Sequence, residues 1–345
     1  MAWAFGDGFD CYATSADAVL GYWDSGTTSL FTLVAGRFAG SQAIRSSSLG
    51  LWLTKSSAVN DGVHHFVVAF QQTAAISGSS IGLYLQLLDG TTAQCCVVFR
   101  SDGAILLTSA TPLGTVLATY AGAFPVVNTW YAFEFEIVVH NSTGSFKVRK
   151  NGNPVDDHST TGIDTAGGTA NNYANKLSVG SQVNVSQQLL DDLYWRSDAA
   201  SVAWMGDIRC YTRAPASDAA VQFSRSTGAT NFSCVDEPQQ NTTTDYVFSS
   251  TPGQADFYTI AAIASTPLTT FAVTTRAYMI KSDAGTRTAA AQLKSGASTV
   301  ASPTVVLTTS NWQWAWRHDV TDPATGGAWT AAAVNTVNVG PTCIA

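Results

Sequence analysis

Apolar and polar side chains alternate with a period of two along most of this chain. Leu83, Leu85 and Leu87 are interleaved with Tyr84, Gln86 and Leu88; Phe133, Phe135 and Ile137 with Glu134, Glu136 and Val138; Phe146 and Val148 with Lys147 and Arg149. A strand sends successive side chains to opposite faces, so these runs predict strands with one face on a core. Asp89-Gly90, Asp102-Gly103, Asn141–Gly144 and Asn151–Pro154 punctuate them, and these residue types supply the conformations that turns require. The clearest unit is a hairpin, with strands over Trp130–His140 and Ser145–Lys150 around the turn at Asn141–Gly144. A further strand over Lys176–Val185 leads into Leu189–Trp195. Sustained helical periodicity is absent, and the best helix candidate is the alanine-rich Trp329–Val337.

The 345 residues suffice for two domains. Met205–Tyr211 reads as a closing strand and Ala214–Asp218 as a loop, after which short strands resume. The predicted division is therefore 1–213 and 214–345, two tandem β-sandwiches in an all-β protein. No repeat of fixed period is present, which excludes solenoids and propellers.

Charged residues are only 12% of the chain, and the net charge is −7. No basic run exists to meet a phosphate backbone, so nucleic acid is excluded as a partner. The uncharged stretch from Gly103 to Phe133 is broken by Pro112, Gly114, Gly122 and Pro125. It predicts two buried strands joined at Pro112–Gly114, not a membrane insertion. Met1–Asp7 has neither a positive n-region nor an apolar h-region, so no signal peptide is expected. None of the six cysteines forms a C-x-x-C pair. They read as buried small hydrophobes made in a reducing cytoplasm, and no metal or other cofactor is implied.

Three segments resemble concanavalin A-like, or laminin-G-like, sandwiches: the opening strand Phe5–Asp10, the hairpin Trp130–Ile137 with Gly144–Gly152, and the strand Asp191–Trp195. The resemblance implies an N-terminal concanavalin A-like jelly roll, with a smaller jelly-roll-like sandwich behind it. Nearly the whole chain is also similar to structural proteins of tailed bacteriophages. Phe5–Asp10, a strand at Gly36–Ala43, Gly206–Arg209, Cys234–Glu237, Thr244–Val247 and Asp322–Thr330 carry that likeness in order. It implies a virion protein assembled in the host cytoplasm: a non-enzymatic decoration, spike or tail-associated subunit. Its partners would be other virion proteins and copies of itself, with a trimer expected. The alternative is a carbohydrate-binding module for host surface polysaccharide.

Candidate chemistry is sparse. Glu134 and Glu136 share one sheet face, and the resemblance would make them the acid pair of a sandwich glycosidase. The same-face neighbours Ala132 and Val138 leave that array incomplete, so the expectation is an outward polar face and no catalytic residue. Gly78–Gly82 matches G-x-S-x-G but precedes a strand, where the nucleophile elbow needs a helix. His64 and His65 diverge on a strand, and His140, His158 and His318 are scattered. Asp156-Asp157 and Asp191-Asp192 are expected in or beside loops. Asn141, Asn184, Asn231 and Asn241 each begin N-x-S/T and read as turn residues. Trp312, Trp314 and Trp316 alternate along one strand and line one face. They are candidates for sugar stacking or an interface, against the plainer reading as core of the second sandwich.

Overall fold

The computed structural model describes residues 3–75, 78–182, 187–198, 203–240, 244–263 and 269–345. Two compact units form. The first contains Met1–Asp10, Thr14–Val19 and Trp23–Cys210; the second contains Cys11–Ala13, Leu20–Tyr22 and Tyr211–Ala345. The division falls after Cys210 and assigns two N-terminal segments to the second unit, which the reading of the sequence did not anticipate.

The first unit is a β-sandwich of two antiparallel sheets. Its strands are β1 (Trp3–Asp7), β2 (Ser25–Gly26), β3 (Phe31–Ala35), β4 (Gln42–Ser46), β5 (Gly50–Asp61), β6 (Val63–Gln72), β7 (Ile81–Asp89), β8 (Thr92–Arg100), β9 (Ile105–Ser109), β10 (Val116–Tyr120), β11 (Trp130–Val138), β12 (Gly144–Lys150), β13 (His158–Ile163), β14 (Ala174–Ser181) and β15 (Gln188–Asp198). One sheet runs β13-β12-β11-β6-β15-β4-β3, with β1 also on β15; the other runs β10-β9-β8-β7-β14-β5-β2. The alternation read from the sequence sets their inner faces. Phe133, Phe135, Phe146, Phe66 and Trp195 are fully buried. Phe99 of β8 stacks on Phe70 of β6 at 4.2 Å and meets Phe135 of β11 edge-on, which joins the two sheets. Burying each such side chain contributes about 1.5–3 kcal/mol.

The second unit has β16 (Pro215–Ala220), β17 (Ser224–Arg225), β18 (Val247–Phe248), β19 (Phe257–Ile260), β20 (Val273–Met279), β21 (Arg287–Ser295), β22 (Ser298–Ala301), β23 (Val305–Leu307), β24 (Gln313–Asp319), α1 (Ala331–Thr336) and β25 (Asn338–Cys343). One sheet runs β16-β19-β25-β21-β22, with β23 also on β21; β17 pairs β18, and β20 pairs β24. The core is Leu293, Trp329, Val334 and Val337, with Ile260 and Val273 packed on it. The predicted helix is shorter than Trp329–Val337 because Thr330 caps it: its Oγ1 accepts the Ala333 N–H at 3.1 Å.

Several expectations are corrected. Ala214–Asp218 is not a loop: Pro215 opens edge strand β16, where its missing N–H costs no ladder bond. Gly36–Ser41 is a turn between β3 and β4, not a strand, closed by Gly36 N donating to Ser41 O at 2.8 Å. Met205–Tyr211 is no strand, because side-chain carboxylates take its amides in place of a neighbouring ladder. Of the two strands predicted between Gly103 and Phe133, β9 is buried, but β10 is an edge with Val116 half exposed.

Candidate functional site

β15 changes partner partway along. It pairs with β4 at Leu189 and Leu190 and with β1 from Leu193 to Ser197. Between them lies a bulge in which Asp192 takes a left-handed φ of 49°. Asp191 and Asp192 are thus inside a strand and buried, which corrects their placement beside loops.

Both carboxylates fasten other segments. Asp191 Oδ2 accepts the Arg37 N–H at 2.8 Å and the Ser41 hydroxyl at 3.4 Å. Asp192 Oδ1 accepts the Cys210 N–H at 2.7 Å, and its Oδ2 lies 3.7 Å from Arg37 Nη1. Arg37 then grips Asp207 with both terminal nitrogens, each at 2.6 Å. The Arg209 guanidinium lies 3.8 Å over the Phe38 ring. Asp10 Oδ1 accepts the Gln42 N–H at 2.7 Å, and Gln42 Nε2 returns a bond to Asp10 O at 3.1 Å. Gly36 is required here, because a Cβ would stand 2.4 Å from Ser41 Oγ and 2.6 Å from Asp191 Oδ2. Burial raises the protonation range of Asp191, and burial with the adjacent Asp191 charge raises that of Asp192, while Arg37 opposes both rises. Four segments singled out by motif (Phe5–Asp10, Gly36–Ala43, Asp191-Asp192 and Gly206–Arg209) therefore meet in one clasp.

Glu134 and Glu136 are also not on an open face. Each is only 2% exposed. Glu134 accepts the N–H groups of Met205 and Gly206 at 2.7 and 2.8 Å, and burial raises its protonation range against these bonds. Glu136 holds Lys147 at 2.7 Å and lies 3.2 Å from His65 Nε2. Trp204 covers the place, edge-on to His65 at 5.6 Å and beneath the Arg149 guanidinium at 4.1 Å. The inward set, Phe133, Phe135 and Ile137, is buried as the alternation requires. What the alternation misses is the segment crossing over the polar face.

In the second unit, the tryptophan row packs on other rings. Trp314 is buried, and Trp312 and Trp316 are half-buried. Trp312 and Trp314 both meet Tyr278, at 5.2 and 4.6 Å. Trp314 also meets Tyr12, and Trp316 meets Tyr22 and donates its indole N–H to Gly21 O at 2.8 Å. Arg276 covers Tyr22 at 3.4 Å.

Other flagged residues are structural. Ser80, the serine of Gly78–Gly82, donates its N–H to Ser101 Oγ at 3.0 Å in a loop that opens β7. His64 faces the core, accepts the Trp195 indole N–H and is pushed by burial down to about 3. Asp156 and Asp157 tie down their turn through Arg149 Nε and Lys150 N. Asn231 is buried, while Asn184 and Asn241 lie outside the described residues. All six cysteines are free thiols. Among the described residues no cluster of His, Cys, Asp and Glu is arranged to hold a metal ion, and no helix is long and apolar enough to cross a membrane.

No family model matches the chain, and no curated protein sequence matches it. Solved structures that resemble part of it include a galectin of Caenorhabditis elegans, at 16% identity over 41% of this chain and 88% of that one, with a TM-score of 0.27. The CBM2 module of the evolved Dit of Lactobacillus casei BL23 phage J-1 is 9% identical over 50% of this chain and 78% of that one, with a TM-score of 0.32. The catalytic domain of a glycoside hydrolase family 131 protein from Coprinopsis cinerea is 12% identical over 59% of this chain and 97% of that one, with a TM-score of 0.39.

Proposed function

We propose that the chain is a non-enzymatic structural subunit on the exterior of a tailed phage particle, a decoration, spike or tail-associated protein. It acts by assembly with other virion proteins and with copies of itself, as a trimer. The clasp carries this reading. Three of the six segments by which the sequence resembles phage structural proteins, Phe5–Asp10, Gly36–Ala43 and Gly206–Arg209, meet around Asp191 and Asp192, and there they bind chain to chain. A motif set used in this way belongs to a scaffold. Absence of catalysis follows the same logic: the only acid pair that the sequence offers as glycosidase machinery is filled by Met205, Gly206 and Lys147. General acid–base work needs a carboxylate that can reach a substrate oxygen. Immunogold labelling with antibody against the full chain tests the reading on particles purified from the organism that encodes it. Gold on intact particles is expected; unlabelled particles that also lack the chain's peptides by mass spectrometry overturn it.

A further inference from the structure

The ribbon β17–β18 in the second unit holds two large rings in solvent. Tyr246 is 46% and Phe248 49% exposed, and their centroids lie 6.0 Å apart with planes inclined at 57°. Ser224 pairs with Phe248 and Arg225 with Val247, and Ser226 N donates to Tyr246 O at 2.9 Å. Residues directly opposed across an antiparallel pair share a face. Tyr246, Phe248, Ser224 and Ser226 therefore stand on one side of the ribbon, with Arg225 and Val247 on the other. An open cavity of about 450 Å³ is lined by Phe223–Gly228.

The loop from Gln222 to Asn231 is fixed by buried groups. Asp256 Oδ1 accepts the Gln222 and Phe223 N–H groups at 2.7 and 2.8 Å. Asn231 Nδ2 donates to Asp256 Oδ2 at 2.8 Å and to Phe223 O at 2.9 Å. Asp256 and Asn231 are both buried. Arg225, which also lines the cavity, donates from Nε to Gly228 O at 3.0 Å and from Nη1 to Asn231 Oδ1 at 3.4 Å. A loop ordered in advance loses little conformational entropy on binding, and rigid aromatic rings lose little more.

We propose that this face binds a pyranose of a polysaccharide, with the sugar's C–H face on Tyr246 and Phe248 and its hydroxyls at Ser224 and at Ser226, whose Oγ accepts the Tyr246 N–H at 2.9 Å and keeps its own proton to donate. Sugar rings combine an apolar face with a polar rim, and this face of the ribbon offers the same combination. The cavity falls in the roughly 300–1,000 Å³ range of small-ligand sites. A protein partner would need about 800 Å² from each side, more than two strands of two residues present. The site stands independently of where the subunit sits on a particle, so its failure leaves the assembly reading untouched.

The test is affinity electrophoresis of the full chain through gels containing dextran, laminarin, mannan or galactan. At least one polysaccharide is expected to retard the wild type. The double variant Tyr246→Ala/Phe248→Ala is expected to weaken that binding by about tenfold or more, the equivalent of about 1.4 kcal/mol. Thr227→Trp, which fills the cavity and leaves both rings in place, is expected to weaken it as well, while Trp312→Ala retains it. The proposal is overturned if no gel retards the wild type, or if both site variants run as the wild type does. Loss of self-association in the double variant, with no polysaccharide retarding the wild type, would assign the rings to a protein interface and also overturn it.

Discussion

Asp192 in the first unit and Asp256 in the second are both buried carboxylates, and their surroundings treat the charge in opposite ways. Asp256 receives four donors: Gln222 N, Phe223 N, Asn231 Nδ2 and the Tyr258 hydroxyl at 2.6 Å. Burial and the bond to Asp256 push the Tyr258 phenol above its ordinary range, as expected for a proton held on that oxygen. Asp192 receives one N–H at 2.7 Å, a guanidinium at 3.7 Å and a second carboxylate as its chain neighbour. Hydrogen bonds can compensate a buried charge without a counter-ion, whereas a like charge next door leaves it under tension. The second unit has built an anchor for a loop. The first has built a clasp whose strength depends on Arg37 and on pH.

The largest expected effect breaks the anchor. Asp256→Ala orphans four donors, two of them on the buried Asn231 and Tyr258 side chains, and should cost about 3–4 kcal/mol, read as the shift of the urea midpoint; Asp256→Asn should recover part of it. Loss of less than about 1 kcal/mol would show that the donors find other partners. Next is Arg37→Met, which strips the clasp of its cation and should cost about 2–3 kcal/mol at pH 8. The cost should shrink at pH 5, as the raised carboxylates take up protons, and an equal cost at both pH values would contradict the description of the clasp.

His64 titrates against the fold from the acid side. Its folded-state value is lowered by burial to about 3 from an ordinary 6.5. The stability it contributes is complete above pH 6.5 and is lost as pH falls toward 3. Stability curves over that interval should slope downward toward acid, less steeply in His64→Phe. Asp192 has the opposite sign. Its folded-state value is raised, so its contribution is complete below the ordinary carboxylate range and is lost as pH rises through the folded value. Asp192→Asn should therefore improve relative to the wild type between pH 4 and pH 8, by about 1 kcal/mol; a constant difference would remove the repulsion from the account. The smallest effect is for Tyr246→Ala/Phe248→Ala, expected within about 0.5 kcal/mol of the wild-type stability because both rings are exposed.

These contrasts also mark what the chain declares in its sequence. Strands with a buried inner face were legible, since a period of two is enough to specify Phe133, Phe135 and Ile137 as inward. The hairpin Trp130–Lys150 was legible for the same reason, its turn residues marking the join. The clasp was not legible, because Arg37 and Asp207 are 170 residues apart and neither lies in a run that demands a partner. Glu134 and Glu136 read as solvated because the cover over them comes from Trp204–Gly206, a segment whose own alternation mimics a strand. Gly206, at φ 78°, breaks that imitation. Pro215 reads as a breaker in isolation and becomes a strand residue only because β16 is an edge. The exposure of Tyr246 and Phe248 was not legible, as two aromatics at i and i+2 look like any half-buried strand until the second strand proves to be two residues long.

The assembly reading is tested most directly by cryo-electron microscopy of particles purified from the organism that encodes the chain. The account predicts density for both units on the outer surface, repeated about a symmetry axis, with the clasp intact and the Tyr246–Phe248 ribbon turned to solvent. A reconstruction without such density, from particles in which mass spectrometry finds none of its peptides, would contradict it.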